Sequence, residues 1–206
     1  MSLSFDEAAG MIVAVSRRLA DQGWAPAGAG NYSCRLAGGG VAITVSGAHK
    51  AELQTGDVMA LDAHGAPLDG RRPSAETELH LLLYRRFPQV EAVLHTHSIP
   101  VVALSRRRAA ATCLRLAGYE LLKAFPGVET HDCEVELPLF DNSQDMPALA
   151  AAVDAALAER PAPAFLIRDH GLYGWGRTMN EALRVVEAAE TLVACELALA
   201  RPEEEA

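Results

Sequence analysis

A chain of 206 residues, half of them apolar, can fill one core but is too short for two ordinary domains, so a single domain over 1–206 is expected. Its formal net charge of −9 argues against a nucleic-acid partner held by counterion release. No apolar run approaches the ~20 residues that a membrane span needs, so no membrane partner is expected.

The first element is a helix: Ser4 and Glu7 have capping-box spacing, and Ala8, Met11, Ile12, Val15 and Leu19 recur at helical intervals up to Gly23. Residues 32–36 and 41–45 are strand-like runs joined by Ala37-Gly38-Gly39-Gly40, a predicted hairpin. A third strand covers 58–61. Pro73-Ser74 opens a second helix containing Leu79, Leu82, Leu83 and Phe87, with Ser74 as N-cap. The run Val90-Glu91-Ala92-Val93-Leu94 reads as a strand leading into His95-Thr96-His97. Short helices are expected over 99–104 and 118–124, and a short strand over 135–137. An alanine-rich helix over 146–159 stops at Arg160-Pro161-Ala162-Pro163. Phe165-Leu166-Ile167 and Leu172-Tyr173-Gly174-Trp175 are strands on either side of His170. The final helix runs from Thr178, with Thr178 and Glu181 as a second capping box, to about Ala200. Glu203-Glu204-Glu205 reads as a solvated acidic tail beginning at about 201. The early hairpin argues against a purely parallel sheet, so the fold class is α/β with a mostly antiparallel sheet between helices.

The cysteines Cys34, Cys113, Cys133 and Cys195 form no Cys-x-x-Cys pair, and the first seven residues place no basic stretch ahead of an apolar one. Reduced thiols in a cytoplasmic protein are expected.

Period two puts the side chains of residues 95 and 97 on one strand face, side by side. His170 closes another strand. Three imidazoles with a fourth position open is the arrangement of a catalytic Zn²⁺; the alternative is three polar residues at the rim of a sheet. Upstream lie three polar segments: Gly28-Ala29-Gly30-Asn31, Ser46-Gly47-Ala48-His49-Lys50 and Pro73-Ser74-Ala75-Glu76. Together Asn31, Ser46, Gly47 and Ser74 supply donors, and Lys50 a charge, for a phosphate. Each segment taken alone is also an ordinary turn or helix cap. Two carboxylates qualify for acid/base work. Glu76 opens a helix whose dipole favours its anion, and could simply be a first-turn acid. Glu120 lies near Leu116, Leu121 and Leu122, neighbours that would raise its pKa and keep it protonated. A pair with Lys123 or Lys50, or plain exposure, is the other reading of Glu120. His80 reads as a helix-face residue, and Tyr173 as packing.

In this order, Gly30-Asn31, Ser46-Gly47, Pro73-Ser74-Ala75-Glu76, His95-x-His97 and His170-Gly171 resemble the class II aldolase/adducin family over almost the whole chain. The resemblance implies a three-layer α/β/α fold, one Zn²⁺ per chain on His95, His97 and His170, and a homotetramer with active sites at subunit boundaries. Finer agreement is with the dehydratase branch: Gly23-Trp24-x-Pro26-Ala27, Thr44-Val45-Ser46-Gly47-x-His49-Lys50, Gly118-Tyr119-Glu120-Leu121-x-Lys123, Phe140-x-Asn142-x-Gln144-Asp145 and Asp169-His170-Gly171-Leu172-Tyr173-x-Trp175-Gly176. That branch implies loss of water from a methylthio-substituted pentulose phosphate in methionine salvage, with Glu120 as acid/base. In the aldolases the corresponding carboxylate falls at Glu76, so an aldolase or epimerase remains the alternative, and a non-catalytic adducin-like module a remoter one. Gly28-Ala29 departs from the Thr-Ser that commonly precedes Gly-Asn in bacterial members.

Overall fold

The computed structural model describes residues 3–200; the acidic run expected as a tail lies outside them. Helix α1 (Phe5–Asp21) starts at a complete capping box: Ser4 N–H donates to Glu7 Oε2 at 2.9 Å, and Ser4 Oγ accepts from Glu7 N–H. The hairpin follows as β1 (Asn31–Arg35) and β2 (Val41–Thr44), then β3 (Val58–Leu61). Helix α2 (Thr77–Arg86) begins later than expected. Val45 and Pro73 bridge as extended chain, and a turn closes only when Thr77 N–H reaches Ser74 O, so the N-cap is Glu76 rather than Ser74.

Strand β4 (Ala92–Thr96) and α3 (Ile99–Arg107) come next. Residues 113–117 form β5 (Cys113–Ala117), a strand absent from the sequence reading although Leu114 and Leu116 alternate inward. Where a short helix was expected there is a 3-10 turn, Glu120–Ala124, cut short by Phe125 in extended conformation ahead of Pro126. The expected strand at 135–137 is longer, β6 (Glu134–Phe140). Then come α4 (Met146–Glu159), β7 (Ala164–Ile167), β8 (Gly171–Gly176) and α5 (Met179–Leu199).

The eight strands form one sheet in the order β3-β2-β1-β4-β8-β7-β6-β5. Every neighbouring pair is antiparallel except β6 with β7. Alternation sorts the strand residues onto two faces. Leu94, Leu166 and Leu172 pack with α1, α3 and α5 on one side. Val93, Phe165 and Tyr173 pack with α2 and α4 on the other. The layers are therefore helices, sheet, helices. Among the described residues no helix is long and apolar enough to cross a membrane.

Candidate active site

Strands β4 and β8 lie at the middle of the sheet, and the site is built where they end. His95 leaves β4 on the face of Val93 and Tyr173, so Thr96 points the opposite way, toward α5. His97 stands just beyond the strand, its backbone N–H donating to Trp24 O at 2.9 Å. His170 is the last residue of the turn between β7 and β8, after Asp169 at φ 56°. Arg168 holds that turn in place. Its guanidinium donates to the carbonyls of Ser105, Arg108 and Ala111, each at 2.8 Å, and pairs with Asp141. Gly171 then lets β8 meet β4 closely: a Cβ there would fall 2.0 Å from Thr96 O and 2.8 Å from His95 Cε1.

Glu76, at the head of α2, completes the cluster. One ligand atom from each of Glu76, His95, His97 and His170 lies within 4.8 Å of every other. Glu76 Oε1 is 2.8 Å from His170 Nε2, Glu76 Oε2 is 3.1 Å from His95 Nε2, and the two Nε2 atoms are 3.4 Å apart. Outer partners fix the rings. His95 Nδ1 faces Leu172 O at 3.0 Å and His170 Nδ1 faces Asn142 Oδ1 at 3.3 Å. Both partners accept hydrogen bonds, so each Nδ1 carries a proton and each Nε2 is turned toward the centre. His95 also stacks on Tyr173, 4.0 Å between centroids, and Tyr173 stacks on Phe165 at 4.8 Å.

Burial alone would raise the Glu76 carboxyl, but His95 and His170 outweigh it and hold the group well below the usual carboxylate range. Burial, and then the neighbouring His95 and His170 rings, push His97 down to about 3. An ionised carboxylate and a neutral imidazole are the states that a cation requires of its ligands. Three imidazole nitrogens and one carboxylate oxygen, with outer partners in place, thus fit a divalent metal.

The three polar segments pack against one another, and those holding Asn31 and Glu76 reach this cluster. Ser46 N–H donates to Arg72 O at 3.0 Å, setting the exposed turn of Ser46 and Gly47 beside residues 73–76. Gly28 abuts His49, whose ring would lie 2.7 Å from a Cβ at position 28. Lys50 is buried, its ammonium donates to Ala48 O, and burial lowers its pKa. Asn31 is committed elsewhere: its amide donates to Glu76 Oε2 at 2.7 Å, and its Oδ1 meets His80. Ser74 Oγ accepts from Glu76 N–H at 3.4 Å.

Glu120 is not part of the cluster. Its side chain is 70% exposed, pairs with Lys123 and faces His131 at 3.5 Å. Lys123 lowers its pKa, the reverse of the expected rise. Leu116 and Leu122 are indeed buried, but the 3-10 turn directs Glu120 away from them. Tyr173, expected only to pack, donates to Glu76 Oε2 at 2.9 Å, and His80, expected only on a helix face, meets Asn31 Oδ1. The register His95↔Tyr173 and the four-residue step from Glu76 to His80 are the signals that would have found them.

Residues 11–197 match the model of the Class II Aldolase and Adducin N-terminal domain. The chain belongs to the class II aldolase and adducin family. It is 52% identical over 192 residues to a methylthioribulose-1-phosphate dehydratase of Marinobacter nauticus, covering 92% of each chain. It is 51% identical over 197 residues to one of Xanthomonas oryzae pv. oryzae, covering 94% of this chain and 86% of the relative. Among solved structures, YgbL of Klebsiella pneumoniae superposes with a TM-score of 0.81 at 25% identity, covering 98% of this chain and 94% of that one. The l-fuculose-1-phosphate aldolase of Thermus thermophilus superposes at 0.74 with 28% identity, covering 95% and 97%. Within the class II aldolase and adducin family, the three-layer fold is the one expected from the sequence.

Proposed function

We propose that this chain is a metal-dependent hydro-lyase of methionine salvage, converting 5-methylthioribulose 1-phosphate to 2,3-diketo-5-methylthiopentyl 1-phosphate. The observation behind this reading is the convergence of His95, His97, His170 and Glu76 in a chain about half identical to named methylthioribulose-1-phosphate dehydratases. Zn²⁺, one per chain, suits a site of three imidazoles and one carboxylate. Bound there, the cation supplies Lewis acidity toward the C2 carbonyl and C3 hydroxyl of the substrate, which eases removal of the C3 proton.

The reaction breaks C3–H and C4–O. Glu120 is the proposed acid/base. As an exposed carboxylate paired with Lys123, it acts first as the base that takes the C3 proton. It then returns that proton to the departing C4 hydroxyl, which leaves as water. The remaining enol moves its hydroxyl proton to C4 and becomes the diketone. An acid on the outside of one chain, away from that chain's own histidines, suits a homotetramer with sites completed at subunit boundaries. Glu76 holds the histidine cluster and orients substrate. Gly47 and the hydroxyls of Ser46 and Ser74, with the segment at Asn31 and with Lys50, receive the C1 phosphate. The chain acts as one domain in the cytoplasm.

Metal-loaded protein incubated with methylthioribulose 1-phosphate should yield the diketone with loss of one water. Two shorter carbonyl compounds instead would make it an aldolase acting through Glu76. Ser46→Ala and Ser74→Ala should each raise KM by an amount equivalent to roughly 1.5–3 kcal/mol, as expected for a donor lost from a charged group. Equal handling of the unphosphorylated sugar would exclude the phosphate cradle.

A further inference from the structure

We propose that His80 is a positioning residue of the site, holding the Glu76 carboxylate against His95 and His170 through Asn31. The inference rests on the reading of Glu76, His95, His97 and His170 as a metal site. An ionised Glu76 can only accept, so the group that Asn31 presents to Oε2 at 2.7 Å is its amide N–H. Asn31 Oδ1 therefore faces His80 and can only accept, so His80 Nε2 donates. A neutral ring with its proton on Nε2 has a lone pair on Nδ1, which accepts a hydrogen bond from the Ser33 hydroxyl at 2.7 Å. Ser33 Oγ in turn accepts from the Tyr84 hydroxyl at 2.8 Å. One carboxylate thus sets the direction of every bond in the series Tyr84, Ser33, His80, Asn31, Glu76.

All five side chains are buried, and His80 is fully so. Burial pushes His80 down to about 3, which keeps it neutral as this direction requires. Such a series is costly to bury unless each member is satisfied, and here each of these contacts is made. A purely packing role between α2 and β1 would be met more cheaply by a leucine or a phenylalanine. Tyr173 adds a second donor to Glu76 Oε2 at 2.9 Å, so the carboxylate is fixed from two sides while Oε1 remains against His170. His80, four residues along α2 from Glu76, is placed to brace it from within the same helix.

The test compares Co²⁺ binding to wild-type chain, His80→Phe, His80→Gln and Asn31→Ala, by chelator competition and by the visible spectrum of the bound ion. Loss of an outer partner typically weakens metal binding 10–100-fold, and about that loss is expected in His80→Phe, with an altered spectrum and kcat lowered more than KM. His80→Gln, which retains an N–H donor for Asn31, should recover most of the affinity and the spectrum. Asn31→Ala cuts the series one link nearer the site and should alter the affinity and the spectrum likewise; if His80→Phe does not fold, wild-type affinity and spectrum in Asn31→Ala would overturn the proposal in its place. Folded His80→Phe with wild-type Co²⁺ affinity and spectrum would overturn the proposal. So would an Asn31→Ala protein changed in KM alone, because Asn31 would then serve only the substrate. Wild-type chain that binds no Co²⁺ would overturn the metal reading itself and this inference with it.

Discussion

At the scale of single residues, His97 is the proposed ligand on which metal retention is expected to turn. His95 is locked by Leu172 and Tyr173 and His170 by Asn142, whereas His97 is held through its backbone bond to Trp24. His97→Ala should therefore remove most of the metal and the activity while leaving the far-ultraviolet circular dichroism unchanged. Stoichiometric metal in a His95/His97/His170 triple-alanine protein would sink the assignment. A second residue-scale effect lies on the opposite face of β4. Glu190 is buried against that strand, accepts from Thr96 Oγ1, and has no partner for Oε2 among the described residues. Burial raises its carboxyl to about 7. Between the ordinary carboxyl value and about 7 the folded chain holds more protons here than the unfolded one. Stability therefore falls as pH rises through that window, and the loss is complete above it. Glu190→Gln removes this slope, so between pH 5.5 and pH 8 the variant should gain on wild type by on the order of 1–3 kcal/mol in urea unfolding. A difference that does not change with pH would exclude this.

At the scale of elements, the close seam between β4 and β8 gives a direct test. Gly171→Ala puts a methyl group 2.0 Å from Thr96 O, so the two strands must separate just where His95 and His170 meet. Overpacking of this kind costs roughly 1–3 kcal/mol. The variant should melt earlier and hold metal less tightly, and an unchanged melting midpoint would show that the seam yields freely. Elements were legible in the sequence where local chemistry is complete. Ser4 with Glu7 is a capping box and starts α1 as expected. Thr178 caps α5, but Glu181 is drawn to the N–H groups of Arg177, so only half of the second box forms. Period two in β4 put His95 and His97 together, and the same rule applied to 113–117 would have found β5, where Arg115 points out between Leu114 and Leu116. What was not legible depends on tertiary context. The bridge of Val45 to Pro73 delays α2, and it leaves Glu76 as an N-cap facing the histidines instead of a residue inside the first turn. The surroundings of Glu120 were misread because its sequence neighbours are not its spatial ones. In a tight turn Leu122 goes inward while Glu120 and Leu121 stay out.

That outward position makes Glu120 a question about the whole molecule. One chain brings together the histidines and Glu76, while among the described residues its Glu120 pairs with Lys123 and faces His131 on the surface. If Glu120 is the acid/base, it must serve the histidines of another copy, as expected for sites completed at the boundaries of a symmetric assembly. Glu120→Gln should then lower kcat by roughly 10²–10⁴-fold with metal content unchanged. His97→Ala should be inactive for the opposite reason, loss of metal. Mixing the two inactive proteins, with unfolding and refolding to exchange chains, should restore activity. Sites pairing an intact histidine set with an intact Glu120 form by chance in about a quarter of cases, so roughly that share of wild-type turnover should return. No recovery, with co-assembly verified by size and by two different tags, would place both functions in one chain. Near-normal turnover by Glu120→Gln alone would remove Glu120 from the chemistry and leave Glu76 as the acting carboxylate.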